Sequence, residues 1–187
     1  MSFRKVFYGG GGVVYVDSGL PHPGVIYAIT PDGRLLWYRD DNRQGQNGPN
    51  AEWGWAPGSG NQIGVGWQNF MHVFSSGSGR GGGGVIYGVT NDGRLLWYRD
   101  DNRQGQNGPN GETGWAAGSG NQIGVGWQNF THVFAGGSEP GHGIIIYAVS
   151  SDGRLLWYRD DNLQGQNGPN GETGWAAGSG NQIGVGW

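Results

Sequence analysis

Asp152-Gly153-Arg154-Leu155-Leu156-Trp157-Tyr158-Arg159-Asp160-Asp161 decides the fold, because the same stretch stands at 32–41 and again at 92–101. The copies are sixty residues apart, and a fixed period of this size marks an architecture built from repeated units. The identity spreads well beyond the stretch: Asp92–Trp127 and Asp152–Trp187 differ only at Arg103 and Leu163. The chain therefore divides into three units, 1–67, 68–127 and 128–187, expected to form a single repeat domain. Each opens on a Phe-x-x-Val-Phe-like segment and closes on Gly-Val-Gly-Trp. The first is longer, with the extra residues near Gly12–Pro23. Near-identity of the units also means that repetition alone does not separate site residues from bystanders.

Composition narrows the class. Glycine accounts for 43 of 187 residues and tryptophan for 10. Glycine lies between β-branched and aromatic clusters, as turn and close-approach residues between short strands do. The net charge of −3 gives no basic footprint for nucleic acid. The absence of cysteine excludes disulfides and thiolate chemistry. No apolar run reaches membrane-spanning length, so membrane insertion is not expected. Met1–Phe7 carries charge without a following apolar region, so a cytoplasmic protein, or one released without a classical signal peptide, is expected.

The third unit shows the strand pattern. Phe130–Phe134 alternates and is rich in β formers. Ile144–Val149 is apolar enough for burial on both faces. Ser151-Asp152-Gly153 is a hairpin signal, since Asp-Gly accommodates the positive φ of a tight turn. Leu155–Arg159 forms the third strand and Asn181–Trp187 the fourth, after a polar stretch from Asp160 to Gly180. No segment has a helical period. Four short antiparallel strands per unit predict an all-β fold, a β-propeller with one blade per unit, the alternative being a β-trefoil.

The succession Gly-Trp-Gln-Asn-Phe-x-His-Val-Phe, a glycine-rich loop, Ile-Tyr-Ala-Val-x-x-Asp-Gly-x-Leu-x-Trp-Tyr, then Trp175 and Ile183-Gly184-x-Gly186-Trp187, resembles the blade repeat of the tachylectin-type propeller lectins. The resemblance implies one four-stranded blade per repeat and binding of N-acetylated amino sugars between neighbouring blades. It also brings Glu112 and Glu172, with Glu52, near where that family places an acidic or amide sugar contact. Three blades form an open arc, and propellers close with roughly four to eight. The end faces would expose apolar sheet, which is not left in water. A homodimer closed as a six-bladed ring is therefore expected, the alternative being that the chain is a fragment of a longer protein.

Trp55, Trp115 and Trp175 stand in polar, glycine-rich surroundings, where an indole offers a flat apolar face to a sugar ring. Packing between blades is the competing role. Asn47, Asn107 and Asn167, Glu52, Glu112 and Glu172, and Asn61, Asn121 and Asn181 are the polar candidates beside them, since amides offer donor and acceptor together. Satisfying turn backbone is their competing role. Trp37, Trp97 and Trp157, in apolar strand context, are expected in the core. Trp67, Trp127 and Trp187 end strands and are also read as structural. Trp115→Ala should then weaken sugar binding and spare the fold.

Other constellations carry less. Asp40-Asp41-Asn42-x-Gln44-Gly45 opens like a calcium loop, but its bidentate closing glutamate would fall at Ala51. It reads instead as an acidic, solvated turn pairing Asp40 with Arg39 or Arg43. His72 and His132 are expected to line the channel, where the first unit has Lys5. No metal site, cofactor or catalytic residue is expected, because no pair of carboxylates is placed for glycosidase work and no nucleophile motif occurs. The expected function is a multivalent, non-enzymatic lectin whose partners are glycans of cell-surface glycoconjugates. A propeller scaffold for protein–protein interaction is the alternative.

Overall fold

The computed structural model describes residues 2–10, 24–41, 54–76, 84–101, 114–138, 143–162 and 174–187. They form three four-stranded antiparallel sheets, the blades of a propeller arc. Blade 1 is β1 (Lys5–Gly10), β2 (Val25–Ile29), β3 (Leu35–Arg39) and β4 (Asn61–Gly64). Blade 2 is β5 (Phe70–Ser76), β6 (Gly84–Thr90), β7 (Leu95–Asp100) and β8 (Asn121–Gly124). Blade 3 is β9 (Phe130–Ser138), β10 (Ile144–Ser150), β11 (Arg154–Asp160) and β12 (Asn181–Val185). Strands neighbour one another in chain order within each sheet. Among the described residues no strand pairs across blades, which separates the fold from a trefoil, whose units share one barrel. The first strands β1, β5 and β9 lie side by side from blade to blade and line the inner edge. The only helical pieces among the described residues are short 3₁₀ turns at Trp67–Asn69 and Trp127–Asn129, and no helix there is long and apolar enough to cross a membrane.

The Asp-Gly turn does two jobs. In blade 2 it closes the β6–β7 hairpin, with Gly93 N–H donating to the Thr90 carbonyl at 3.0 Å. Asp92 accepts from the Thr90 hydroxyl and from Arg94, and these bonds hold its carboxyl below the usual carboxylate range. Gly93 sits at φ 88°, and a Cβ there would fall on the side-chain amide of Gln128, folded over the turn. The Gly93 carbonyl in turn accepts from the Trp127 N–H at 3.0 Å, so the turn also seats the chain as it leaves for the next blade.

The cores lie between blades. Successive strand residues point to opposite faces, so Trp97 faces blade 3 and its neighbour Tyr98 faces blade 1. Tyr27, Ile29, Leu35, Trp37 and Ile63 pack against Ile86 and Leu96 of blade 2. Tyr87, Val89, Leu95, Trp97 and Ile123 pack against Val133, Ile144, Ile146 and Ala148 of blade 3. Trp37 and Trp97 are fully buried, in agreement with their expected core role, while Trp157 is half-buried on a face that no blade covers among the described residues.

The acidic pair is not the solvated turn its sequence suggests. Arg39 pairs with Asp41 at 2.6 Å, and Arg43, the other partner expected for Asp40, lies outside the described residues. Asp40 is half-buried and its equivalents Asp100 and Asp160 are fully buried. Tyr27 donates to Asp100 at 2.8 Å and Tyr87 to Asp160 at 2.9 Å, each bond crossing a blade boundary. Burial, then the nearby Asp160 charge and the bond to it, push the Tyr87 hydroxyl well above its ordinary pKa. Along the inner edge, Lys5 donates to the Phe70 and Met71 carbonyls at 3.0 and 2.6 Å. His72 Nε2 stands 3.1 Å from the Phe130 carbonyl.

Two outcomes follow. Tyr87→Phe should cost about 1.5–3 kcal/mol in urea unfolding at neutral pH, the range for a hydrogen bond to a charged group. His72 titrates below its ordinary 6.5, chiefly because burial disfavours its charged form, with Lys5 and His132 acting the same way against the Phe130 carbonyl. The unfolded chain therefore takes up this proton first. The His72 contribution is fully present above 6.5 and is lost as pH falls through the lowered folded value. Urea midpoints should drop on acidification through this range, and His72→Gln should flatten part of that drop.

Candidate functional site

Each described blade junction holds an aromatic cavity. Between blades 1 and 2 it measures about 360 Å³, and between blades 2 and 3 about 410 Å³. Both volumes fall within the roughly 300–1,000 Å³ of small-molecule sites. The first is lined on the blade 1 side by Gly64-Val65-Gly66-Trp67 and on the blade 2 side by Phe70, Tyr98, Trp115 and Ser119. The second repeats the set sixty residues on: Gly124-Val125-Gly126-Trp127, with Phe130, Tyr158, Trp175 and Ser179.

The walls are held by bonds and stacking across the junction. Trp115 Nε1 donates to the Ile63 carbonyl at 3.1 Å, and Trp175 Nε1 to the Ile123 carbonyl at 3.0 Å. With the N–H engaged, the indole offers the cavity its face. Trp115 stacks on Trp67 at 6.1 Å between centroids and 24° between planes. Tyr98 lies 4.9 Å from Trp67 and edge-on to Trp115 at 5.9 Å. Burial raises the Tyr98 hydroxyl above its ordinary pKa, so it remains a donor at neutral pH. Ser119 Oγ accepts the Arg99 N–H at 3.1 Å, and a hydroxyl that accepts retains its own proton to donate. The result is an apolar aromatic wall with backbone, serine and tyrosine groups at its margin. Val65 and Val125 stand at the rim, 52% and 51% exposed.

The glycines of this wall are steric requirements. A Cβ on Gly64 would stand 2.6 Å from Trp67 Nε1, and on Gly124 2.6 Å from Trp127 Nε1. The strand must lack a side chain there for the indole to lie across it and form the cavity floor.

Of the residues nominated from sequence, Trp115 and Trp175 line the cavities. Each also packs against the core of its junction, the competing role weighed for them. Trp55 holds the equivalent position on blade 1, edge-on to Tyr38 at 5.7 Å. Asn61, Asn121 and Asn181 open β4, β8 and β12, exposed, and none of them is among the residues lining the two described cavities. Asn47, Glu52, Asn107, Glu112, Asn167 and Glu172 lie outside the described residues. Sequence reading did not nominate Tyr98, Tyr158, Phe70, Phe130, Ser119 or Ser179. One signal was present: alternation places Tyr98 on the opposite face from core Trp97, the face that carries Trp115.

A model of the family described as Tachylectin matches residues 28–187. No curated protein matches the chain.

Gly124→Ala should force Trp127 off β8. The expected cost is about 1–3 kcal/mol of stability, as for overpacking in a filled interior, seen as a lower urea midpoint. The changed indole environment should appear in near-ultraviolet circular dichroism.

Proposed function

We infer that this chain, which belongs to the tachylectin family, is a carbohydrate-binding lectin whose sites are the aromatic cavities between its blades. The observation that carries the reading is the repetition of one cavity at both junctions: an indole face and a second tryptophan set at a shallow angle, with hydroxyl and backbone groups beside them. A pyranose ring presents an apolar C–H face and a girdle of hydroxyls. Trp115 and Trp67 fit the face. Ser119, Tyr98 and the Gly64–Gly66 backbone fit the girdle. N-acetylated amino sugars are the proposed ligands, the acetyl methyl being suited to the apolar floor formed by Phe70 and Trp67.

Multivalency supports the same reading. Monosaccharides bind weakly one at a time, and linked sites on one body gain avidity through effective concentration without new contacts. Like cavities at successive junctions supply such linked sites for glycans displayed densely on a surface.

A glycan array tests the proposal. Binding to a coherent set of glycans, competed by free N-acetylglucosamine, is the expected result. The double variant Trp115→Phe/Trp175→Phe should weaken monosaccharide affinity by roughly tenfold, or about 1.4 kcal/mol, with the fold retained because an aromatic ring still fills each junction. Silence across a broad array would turn the reading toward a protein-binding scaffold.

A further inference from the structure

Each cavity needs both blades that flank it, and the chain carries one further half of each kind. On blade 3, the positions that close a junction elsewhere stand open. Ile63 and Ile123 are fully buried, but Ile183 is 53% exposed; Trp67 and Trp127 are each 4% exposed, but Trp187 is 66% exposed. On blade 1 the opposite face is open: Val133 is 9% exposed where its equivalent Val6 is 59% exposed.

Both halves already hold the geometry of a finished site. Trp187 lies across Gly184 as Trp67 lies across Gly64, its Nε1 2.6 Å from where a Cβ would stand in each case. The Tyr38–Trp55 pair meets edge-on at 5.7 Å and 68°, against 5.9 Å and 70° for Tyr98–Trp115. The two junctions inside the chain show what each half accepts: a front face of this design packs on a back face of this design.

We propose that a second copy of the chain supplies the missing half. Trp187 of one copy seats on Tyr38 and Trp55 of the partner subunit and completes a composite sugar site across the subunit boundary, twice per dimer. Two copies of this 187-residue arc bring six blades together, within the roughly four to eight that close a propeller. The two contacts are then identical and related by a two-fold axis along the ring axis. Polar positions match as well. Tyr147 and Asp40 of the partner subunit hold the places of Tyr87 and Asp160, which bond at 2.9 Å. His132 is placed toward Phe3 of the partner subunit as His72 is toward the Phe130 carbonyl. The ligand in this proposal rests on the lectin reading; the assembly does not.

Sedimentation equilibrium on the 187-residue chain, without sugar, tests the assembly. The expected mass is twice that of the chain. Ile183→Asp, on the front face, and Val6→Asp, on the back face, should each give a monomer with unchanged far-ultraviolet circular dichroism. Trp187→Ala should raise the dimer dissociation constant roughly 30-fold or more, as truncation of an interface tryptophan does. A monomeric wild type, a larger assembly, or a dimer indifferent to both aspartate variants overturns the proposal. Titration calorimetry with N-acetylglucosamine should count three sites per wild-type chain and two per Ile183→Asp chain. Equal counts overturn the composite site. Absence of sugar binding in both proteins sinks the lectin reading alone, and the mass then decides the assembly by itself.

Discussion

The contact between neighbouring blades is the interaction on which the rest depends. A four-stranded sheet of short strands has two apolar faces and no interior of its own. Its tryptophans, tyrosines and branched residues are buried only when the next sheet covers them. Both hydrophobic cores among the described residues lie across junctions, and so do the buried Tyr27–Asp100 and Tyr87–Asp160 bonds. The tyrosine–carboxylate bond adds direction to a contact that dispersion and burial leave unoriented. An aspartate with no exposed surface requires its donors, and the tyrosine hydroxyl reaches Asp160 only when Tyr87 and β11 stand in one relative position.

Much of the blade was legible in sequence for local reasons. The hairpin at 150–153 follows from Asp-Gly, and the strand at Ile144–Ser150 from a run of branched residues too apolar for solvent on either face. Trp37 and Trp97 fell in the core because their strand neighbours are leucines. The site was less legible because it belongs to pairs of units. Tyr98 and Ser119 become site residues only when Gly64–Trp67 of the preceding blade stand opposite them. Nothing in the order of residues within one unit states that pairing. The acidic pair misled for a related reason: Asp100 and Asp101 are chain neighbours, but strand alternation sends one into the junction and the other to Arg99 at the surface.

Identical residues therefore meet unlike environments. Trp127 and Trp187 close the same Gly-Val-Gly-Trp segment, yet one is core and the other stands in solvent. The indole keeps its place over the preceding glycine in both settings. Local backbone sets the pose of the side chain, and the neighbouring blade sets what that pose achieves. This separation lets one repeated sequence serve as interior at one junction and as exposed surface on blade 3.

The sharing of residues between packing and site constrains how specificity is set. Trp115 anchors to the Ile63 carbonyl, supports the blade 1–2 core and lines the cavity. A substitution that reshaped the cavity there would also loosen the junction. The same holds for Trp67, Phe70 and Tyr98, which interlock at centroid distances of 4.9 to 6.1 Å. Only groups that line the cavity without closing the core can reshape it at low cost to stability. Val65, half-exposed at the rim, and the Ser119 hydroxyl at the margin meet that condition. On the lectin reading proposed above, the aromatic set would supply a generic affinity for the apolar face of a sugar, and the rim would decide which hydroxyl and N-acetyl pattern is accepted above it.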